Sequence, residues 1–514
     1  MTGNFLFSQY SRIFISLIFL LCTFVLYLHY YYRLKCGVST EITDGNKMKL
    51  KLLLFTVILF YSTKSNAQWQ QDFLLTNNSG GSSSNRSGMV AVGNTLHVVW
   101  DDDVAGNNEI FYKQSTDEGA TWSVDTRLTY DSASGFASAI AGEGNNIHVV
   151  WMDNRDGNYE VYYKQSTDGG ISWGQDTRLT NDTNDSNNPS ISISGMNLFI
   201  TWWDNRNGNN EIYFKRSTDG GLTWGLDERL TNNTTESFEP YITSSDSTVR
   251  IVWTDQLKGI NGEVYYKIST DYGISWGPDI RLTQNGANSG GPVLAVSGLD
   301  EHLVWFDTRD GNYEIYYKNS PDGGLTWGTD TRLTDNPETQ FSPNIIVSGQ
   351  NIHVFWRDDR NNFEIYYRRS TDGGMSWENE TRLTNDSAYS DHPSGAVTGD
   401  IVHVIWTDAR SGNGDIYYNR NSTANNIGLA NLELTHAINI FPDPASDFFN
   451  ITLNGSLPLK EYHLGIFNML GENIFPERLL LQSQIINCAS WASGIYFVMV
   501  TDGVTQFTKK IIIR

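Results

Sequence analysis

Five segments of the chain place a carboxylate, a guanidinium and a second carboxylate at nearly one spacing. They read WMDNRDGNYE from Trp151, WWDNRNGNNE from Trp202, WFDTRDGNYE from Trp305, WRDDRNNFEI from Trp356 and WTDARSGNGD from Trp406. Arg155, Arg206, Arg309, Arg360 and Arg410 each follow an aspartate by two positions: Asp153, Asp204, Asp307, Asp358 and Asp408. A guanidinium is a planar fork of N–H donors, so a ring of five would grip the carboxylates or sulfates of an acidic sugar pairwise. Repetition favours a different use. Each arginine would pair with its own Asp and Glu across a hairpin mouth, as Arg155 would with Asp153 and Glu160.

Two copies break the pattern. WDDDVAGNNE from Trp100 carries Asp101, Asp102 and Asp103 but no arginine, and WTDQLKGINGE from Trp253 has only Lys258 in a longer loop. Three adjacent carboxylates are a candidate Ca²⁺ site, but the EF-hand spacing is missing and a solvated loop is the favoured reading. Paired carboxylates would also suit glycoside hydrolysis, although the sequence does not fix their separation. His97, His148, His302, His353 and His403 stand three residues before their tryptophans. Zinc needs converging ligands, whereas one histidine per copy is spread around the array. Core packing or a hydrogen bond between repeats is therefore expected, and no metal, other cofactor or catalytic residue is assigned.

These residues recur because the chain does. A second motif, STDGGISW at 166–173, has copies whose tryptophans are residues 122, 173, 224, 276, 327 and 377, at intervals of 50 to 52 residues. One period reads as four short strands: SISIS, NLFITWW, NEIYFKRS and LDERLT, separated by Gly, Asn and Asp turns. No stretch shows a helical period. A four-stranded unit repeated every fifty or so residues predicts a β-propeller blade. The second-strand tryptophan occurs seven times and RLT six times, and WQQDFLLT at 69–76 resembles the missing last strand. Seven blades are expected, closed by this N-terminal strand, which removes open sheet edges.

Ser/Thr-x-Asp-x-Gly-x-x-Trp resembles the Asp-box, or bacterial neuraminidase repeat, of sialidases and other propellers. Sialidase relatives have six blades, which makes six the alternative count. The box aspartates Asp117, Asp168, Asp219, Asp271, Asp322 and Asp372 read as structural. In Asp168's turn the carboxylate accepts backbone N–H bonds, Gly169 and Gly170 permit positive φ, and Trp173 covers the turn. The resemblance implies that ligands bind on the face away from the boxes, where the arginine loops lie. The family's Arg-Ile-Pro motif is absent, so the resemblance to sialidases stops at the boxes.

The chain is acidic, with 58 Asp and Glu against 36 Lys and Arg among 514 residues. That field disfavours nucleic acid as a partner. Cys22, Cys36 and Cys488 form no metal pattern, and no internal disulfide is expected. Residues 48–67 read as a signal peptide: Lys49 and Lys51, an apolar run, then small residues before Gln68. Residues 1–47 are either an over-extended start or, through the apolar run at 12–32, a membrane segment.

The repeat fills 68–422, a linker 423–437, and a third piece 438–514. Its Pro442-Asp443-Pro444-Ala445, the hairpin around Gly471, GIYFVMV and Lys509–Lys510 resemble the sorting domain of type IX secretion cargo, a small β-sandwich. Asp443 replaces the family's asparagine. The resemblance implies export through the type IX machinery of a Gram-negative bacterium, to the medium or the cell surface. The expected function is a glycan- or protein-binding propeller. The alternatives are a sialidase-like exo-glycosidase and a purely structural or adhesive protein.

Overall fold

The computed structural model describes residues 69–76, 80–83, 88–256, 261–360, 362–422 and 424, then 438–441, 445–453, 463–468, 473–479, 483–501 and 506–514. The expected signal peptide, membrane segment and linker fall outside these residues, apart from Ala424, as do Lys258, Pro442 to Pro444 and Gly471. The described chain is all β, without a helix.

Each repeat makes one antiparallel sheet, its strands hydrogen-bonded in chain order. In the second repeat these are Gly135–Glu143, Asn146–Asp153, Glu160–Ser166 and Thr177–Arg178. The second strand of each sheet is buried on both faces, so it reads as a near-continuous apolar run. Its tryptophans, from Trp100 to Trp406, are 0–1% exposed. The sheet of Ser390–Thr398, Ile401–Asp408 and Asp415–Asn421 takes its fourth strand from the other end of the chain, with Phe73 opposite Tyr418 and Leu74 opposite Tyr417.

Neighbouring sheets share cores. Val99, Ile110 and Tyr112 of the first repeat pack with Ile147, Val149 and Trp151 of the second. Leu75, Leu96 and Trp100 pack with Ile405, Ile416 and Tyr418 of the last, so the final sheet meets the first. Apolar burial on this scale drives the assembly.

The box turns fasten sheet to sheet. Asp168 accepts the backbone N–H of Ser172 at 2.8 Å and the hydroxyls of Ser172 and Ser166 at 2.6 and 2.8 Å. These bonds, the Ser172 hydroxyl first, hold its carboxyl down at about 2. Trp173, read from sequence as the cover of its own turn, also joins two sheets. It packs edge-on against Tyr112 of the preceding sheet, ring centroids 4.9 Å apart, the geometry that aromatic pairs favour. Gly170, at φ 87°, lies beneath the Tyr112 hydroxyl, where any Cβ would overlap it.

The C-terminal segment forms a three-stranded and a four-stranded sheet. Ile440, Phe449, Ile451 and Ile486 from one, with Leu464, Ile466, Val498 and Ile511 from the other, make one core. Ala445 lies within it, 1% exposed, and Cys488 is a buried free thiol.

Candidate functional site

In the second repeat Gly135 lies opposite Asp153, whereas the Asn145 carbonyl accepts the N–H of Gly169 in the box turn. The arginine loops and the start of each first strand therefore share the edge away from the boxes. On that edge the arginines pair with carboxylates of the same chain. Arg155 donates Nε and Nη2 to the two oxygens of Asp153 at 3.0 and 2.6 Å. Its Nη1 reaches Asp176 at 2.8 Å, and its plane lies 4.3 Å from the Tyr162 ring centroid. Arg309 repeats this with Asp307, Asp330 and Tyr316, and Arg410 with Asp408, Asp72 and Tyr417. Arg206 pairs with Asp204 and Asp227, and Arg360 with Asp358 and Glu380. Burial would raise the carboxyl of Asp307, but the bonds from Arg309, Trp305 and Ser289 outweigh it and the group stays below its ordinary value.

The second carboxylate has another partner than the sequence suggests. Glu160, fully buried, accepts from Arg178 at 2.8 Å, from Thr180 at 2.5 Å and from the backbone N–H of Asp182 at 2.9 Å. Arg178 stands closer because its strand, unlike the loop of Arg155, runs beside Glu160. The Trp-x-Asp spacing has its own cause: the Trp151 indole donates to Asp153 at 2.9 Å.

The histidines do not meet. Nδ1 of His97, His148, His302, His353 and His403 each lies 2.7–2.8 Å from a tyrosine hydroxyl of the adjacent strand in the same sheet. Burial pushes His97, His148 and His302 down to about 4, and His403 to about 3. The three adjacent aspartates also diverge. Asp102 accepts from Ser82 at 2.6 Å and from Val104 N–H at 2.8 Å, Asp103 from Gly81 N–H at 2.6 Å, and Asp101 lines a cavity. Among the described residues no group of three or more His, Cys, Asp or Glu side chains is placed to hold a metal.

That cavity, of about 490 Å³, lies where the first strands of the sheets converge. It falls within the usual range of ligand pockets. Six of the contributing first strands carry a one-residue bulge, as between Phe136 and Ala139 or Asn187 and Ser190. The bulge puts one residue per sheet at positive φ: Ala137, Asn188, Glu239, Gly291, Ser342 and His392, at 47–60°. All six line the cavity. Five are not glycine, and strain of this kind gathers at functional sites.

Here the repeat stops repeating. Ala, Asn, Glu, Gly, Ser and His occupy one structural position, whereas the loop arginine recurs in five repeats and the box in six. Glu239 accepts the Gly291 N–H at 2.9 Å and the Thr254 hydroxyl at 3.1 Å. Asp101 is 8% exposed, and burial pushes its carboxyl up to about 7. The two repeats that lack the arginine are the two that place a carboxylate in the cavity wall.

His392 stands 3.5 Å from Asp391, which takes the Ser342 hydroxyl at 3.1 Å and Arg357 at 2.8 Å. Phe306 and Phe341 complete a wall, centroids 5.3 Å apart at 68°, and Arg357 lies over Phe341 and Phe363. The sequence carries a signal for this site. Asn188, Glu239, Gly291, Ser342 and His392 each precede a proline in one register.

Comparison with known proteins follows this division of the chain. Residues 55–256 match the BNR repeat-like domain and residues 439–514 the secretion system C-terminal sorting domain. The chain thus carries BNR-type repeats and a secretion sorting tail, and is a secreted or cell-surface protein. No curated protein matches it. The polysaccharide lyase Uly1 superposes with TM-score 0.51 at 10% identity, covering 70% of this chain and 100% of that one. A PL25 ulvan lyase bound to -[GlcA(1-4)Rha3S]- gives 0.51 at 11% identity, covering 69% and 96%. A Trypanosoma rangeli sialidase mutant gives 0.40 at 10%, covering 73% and 83%. For the two lyases, at these identities, the likeness is one of fold.

Proposed function

We propose that the mature chain is a seven-bladed propeller with a C-terminal β-sandwich, exported through the type IX machinery, that binds a glycan in its axial cavity. The observation carrying this reading is that the six residues at positive φ lining the cavity share one backbone position but no side-chain chemistry. Structure needs copies, whereas a single asymmetric ligand needs different groups at equivalent positions. The seven sheets, with the last packed on the first, support the blade count. The fold neighbours named for polysaccharide lyases support a glycan. In this reading the arginine loops act as hairpin fasteners, the use that their repetition favours, and not as holders of acidic ligands.

A second reading adds chemistry at the same place. Burial pushes the Asp101 carboxyl up to about 7, and Glu239 is a second carboxyl group in the same cavity wall. An acid and a carboxylate in one site is the combination that glycoside cleavage uses.

The test is an oligosaccharide array probed with the secreted protein, followed by product analysis on every ligand bound. Binding weakened by Phe341→Ala and unchanged by Arg309→Ala supports the axial site. The reverse pattern returns the site to the arginine loops. Array binding by no oligosaccharide leaves the structural or adhesive alternative. Turnover lost in Asp101→Asn and in Glu239→Gln establishes the second reading.

A further inference from the structure

We infer that the axial site binds a glycan chain along its length, the chain leaving the cavity over Phe306, Phe341, Arg357 and Phe363 of the fifth and sixth repeats. The inference rests on the axial cavity being the glycan site. Its support is a continuous row of flat groups that starts in the cavity wall. Phe306 and Phe341 line the cavity. Tyr313, on the arginine loop of the fifth repeat, lies 4.3 Å from Phe341 and 5.3 Å from Phe306, centroid to centroid. The Arg357 guanidinium lies 5.1 Å from the Phe341 centroid and 4.6 Å from that of Phe363. Phe363 is 38% exposed, so the row runs from the cavity to solvent.

The backbone and its ion pairs fix each member of this row. Phe306 stands opposite Gly290, where a Cβ would come within 2.7 Å of its ring. The carbonyl of Tyr313 accepts the N–H of Gln340 at 2.9 Å, which draws Tyr313 to the strand that carries Phe341. Arg357 binds Asp391 at 2.8 Å and lies 3.3 Å from Asp359, which holds its plane between the two rings. The carbonyl of Phe363 accepts the N–H of Ser390 at 2.6 Å.

The array does not require these side chains. Phe306 and Arg357 share their register position with Met152 and Thr254, and Tyr313 and Phe363 share theirs with Asn210 and Gly414. Those repeats make the same sheet without an aromatic there. Flat apolar groups in series offer stacking surface to the C–H faces of successive sugars, and a guanidinium held over a ring extends that surface. A single terminal sugar needs only the cavity, whereas a row that continues past its wall suits a chain.

The experiment uses the secreted chain with β-1,4-glucans and oligouronates of two and six sugars, their affinities measured by calorimetry. The readout is the gain in affinity from two sugars to six in each series that binds. The native chain should show a gain of at least about tenfold. Phe341→Ala should weaken both lengths, by about tenfold. Phe363→Ala should cut the gain to about threefold or less, and Phe363→Tyr should keep it. Tyr159→Ala should also keep it, because the Phe136–Tyr159 pair belongs to the second repeat, away from the row.

Two and six sugars bound equally by the native chain, and both weakened by Phe341→Ala, overturn the outward path while leaving the axial site standing. A gain that survives Phe363→Ala, or one lost in Tyr159→Ala, does the same. Affinities that ignore Phe341→Ala, or no binding by any probe, overturn the axial site and the inference with it.

Discussion

Trp69 packs edge-on against Tyr367, ring centroids 5.0 Å apart at 80°. It fills the place that Trp377 fills against Tyr317 and Trp122 against Tyr418. The last repeat has no box of its own, so the N-terminal strand brings the missing tryptophan with it. Asp72, three residues on, likewise receives Arg410 as Asp176 receives Arg155.

Trp69→Ala should therefore cost about as much stability as Trp173→Ala in the middle of the array. Both side chains are partly buried, so a loss of about 2–3 kcal/mol is expected. Denaturant midpoints of the two variants check this. A Trp69→Ala midpoint equal to the native one would show that the closure is not a structural joint.

Arg309→Ala should destabilise without touching the ligand site. It strands Asp307, fully buried, beside the Trp305 indole. The expected loss is about 2–3 kcal/mol, and Arg309→Ala with Asp307→Asn should recover part of it. Unfolding curves of the three proteins measure both.

The buried histidines set a pH limit. Their folded pKa lies near 4 for His97, His148 and His302, below the ordinary 6.5. The unfolded chain thus binds more protons between these values, and stability falls as pH drops from about 6.5 toward 4. His148→Gln should flatten that slope in stability measured against pH. An unchanged slope would contradict the burial account.

The box aspartates act lower on the scale. Asp117, Asp168, Asp219 and Asp271 sit at about 2, below the usual 3.8, so their contribution is full above about pH 4 and is lost toward pH 2. Asp168→Asn should reduce the acid sensitivity of stability in that window, while lowering stability at neutral pH.

How far the sequence reached depended on copying. The boxes, the four strands and the closing strand at 69–76 were legible because each recurs at a fixed interval. The partners of repeated groups were harder. Glu160 turned to Arg178 rather than Arg155, and Trp173 to Tyr112 of the neighbouring sheet, since register and inter-sheet packing decide those contacts. The axial site escaped for the opposite reason. A search for motifs finds what repeats, and Ala137, Asn188, Glu239, Gly291, Ser342 and His392 share a backbone position but no chemistry. Only the proline after five of them marks the register.

The most direct test compares one oligosaccharide, chosen from the array, against the native chain, Phe341→Ala and Arg309→Ala by titration calorimetry. The account predicts that Phe341→Ala weakens binding about tenfold while Arg309→Ala, although less stable, binds as the native chain does. Binding lost in Arg309→Ala and kept in Phe341→Ala would contradict it.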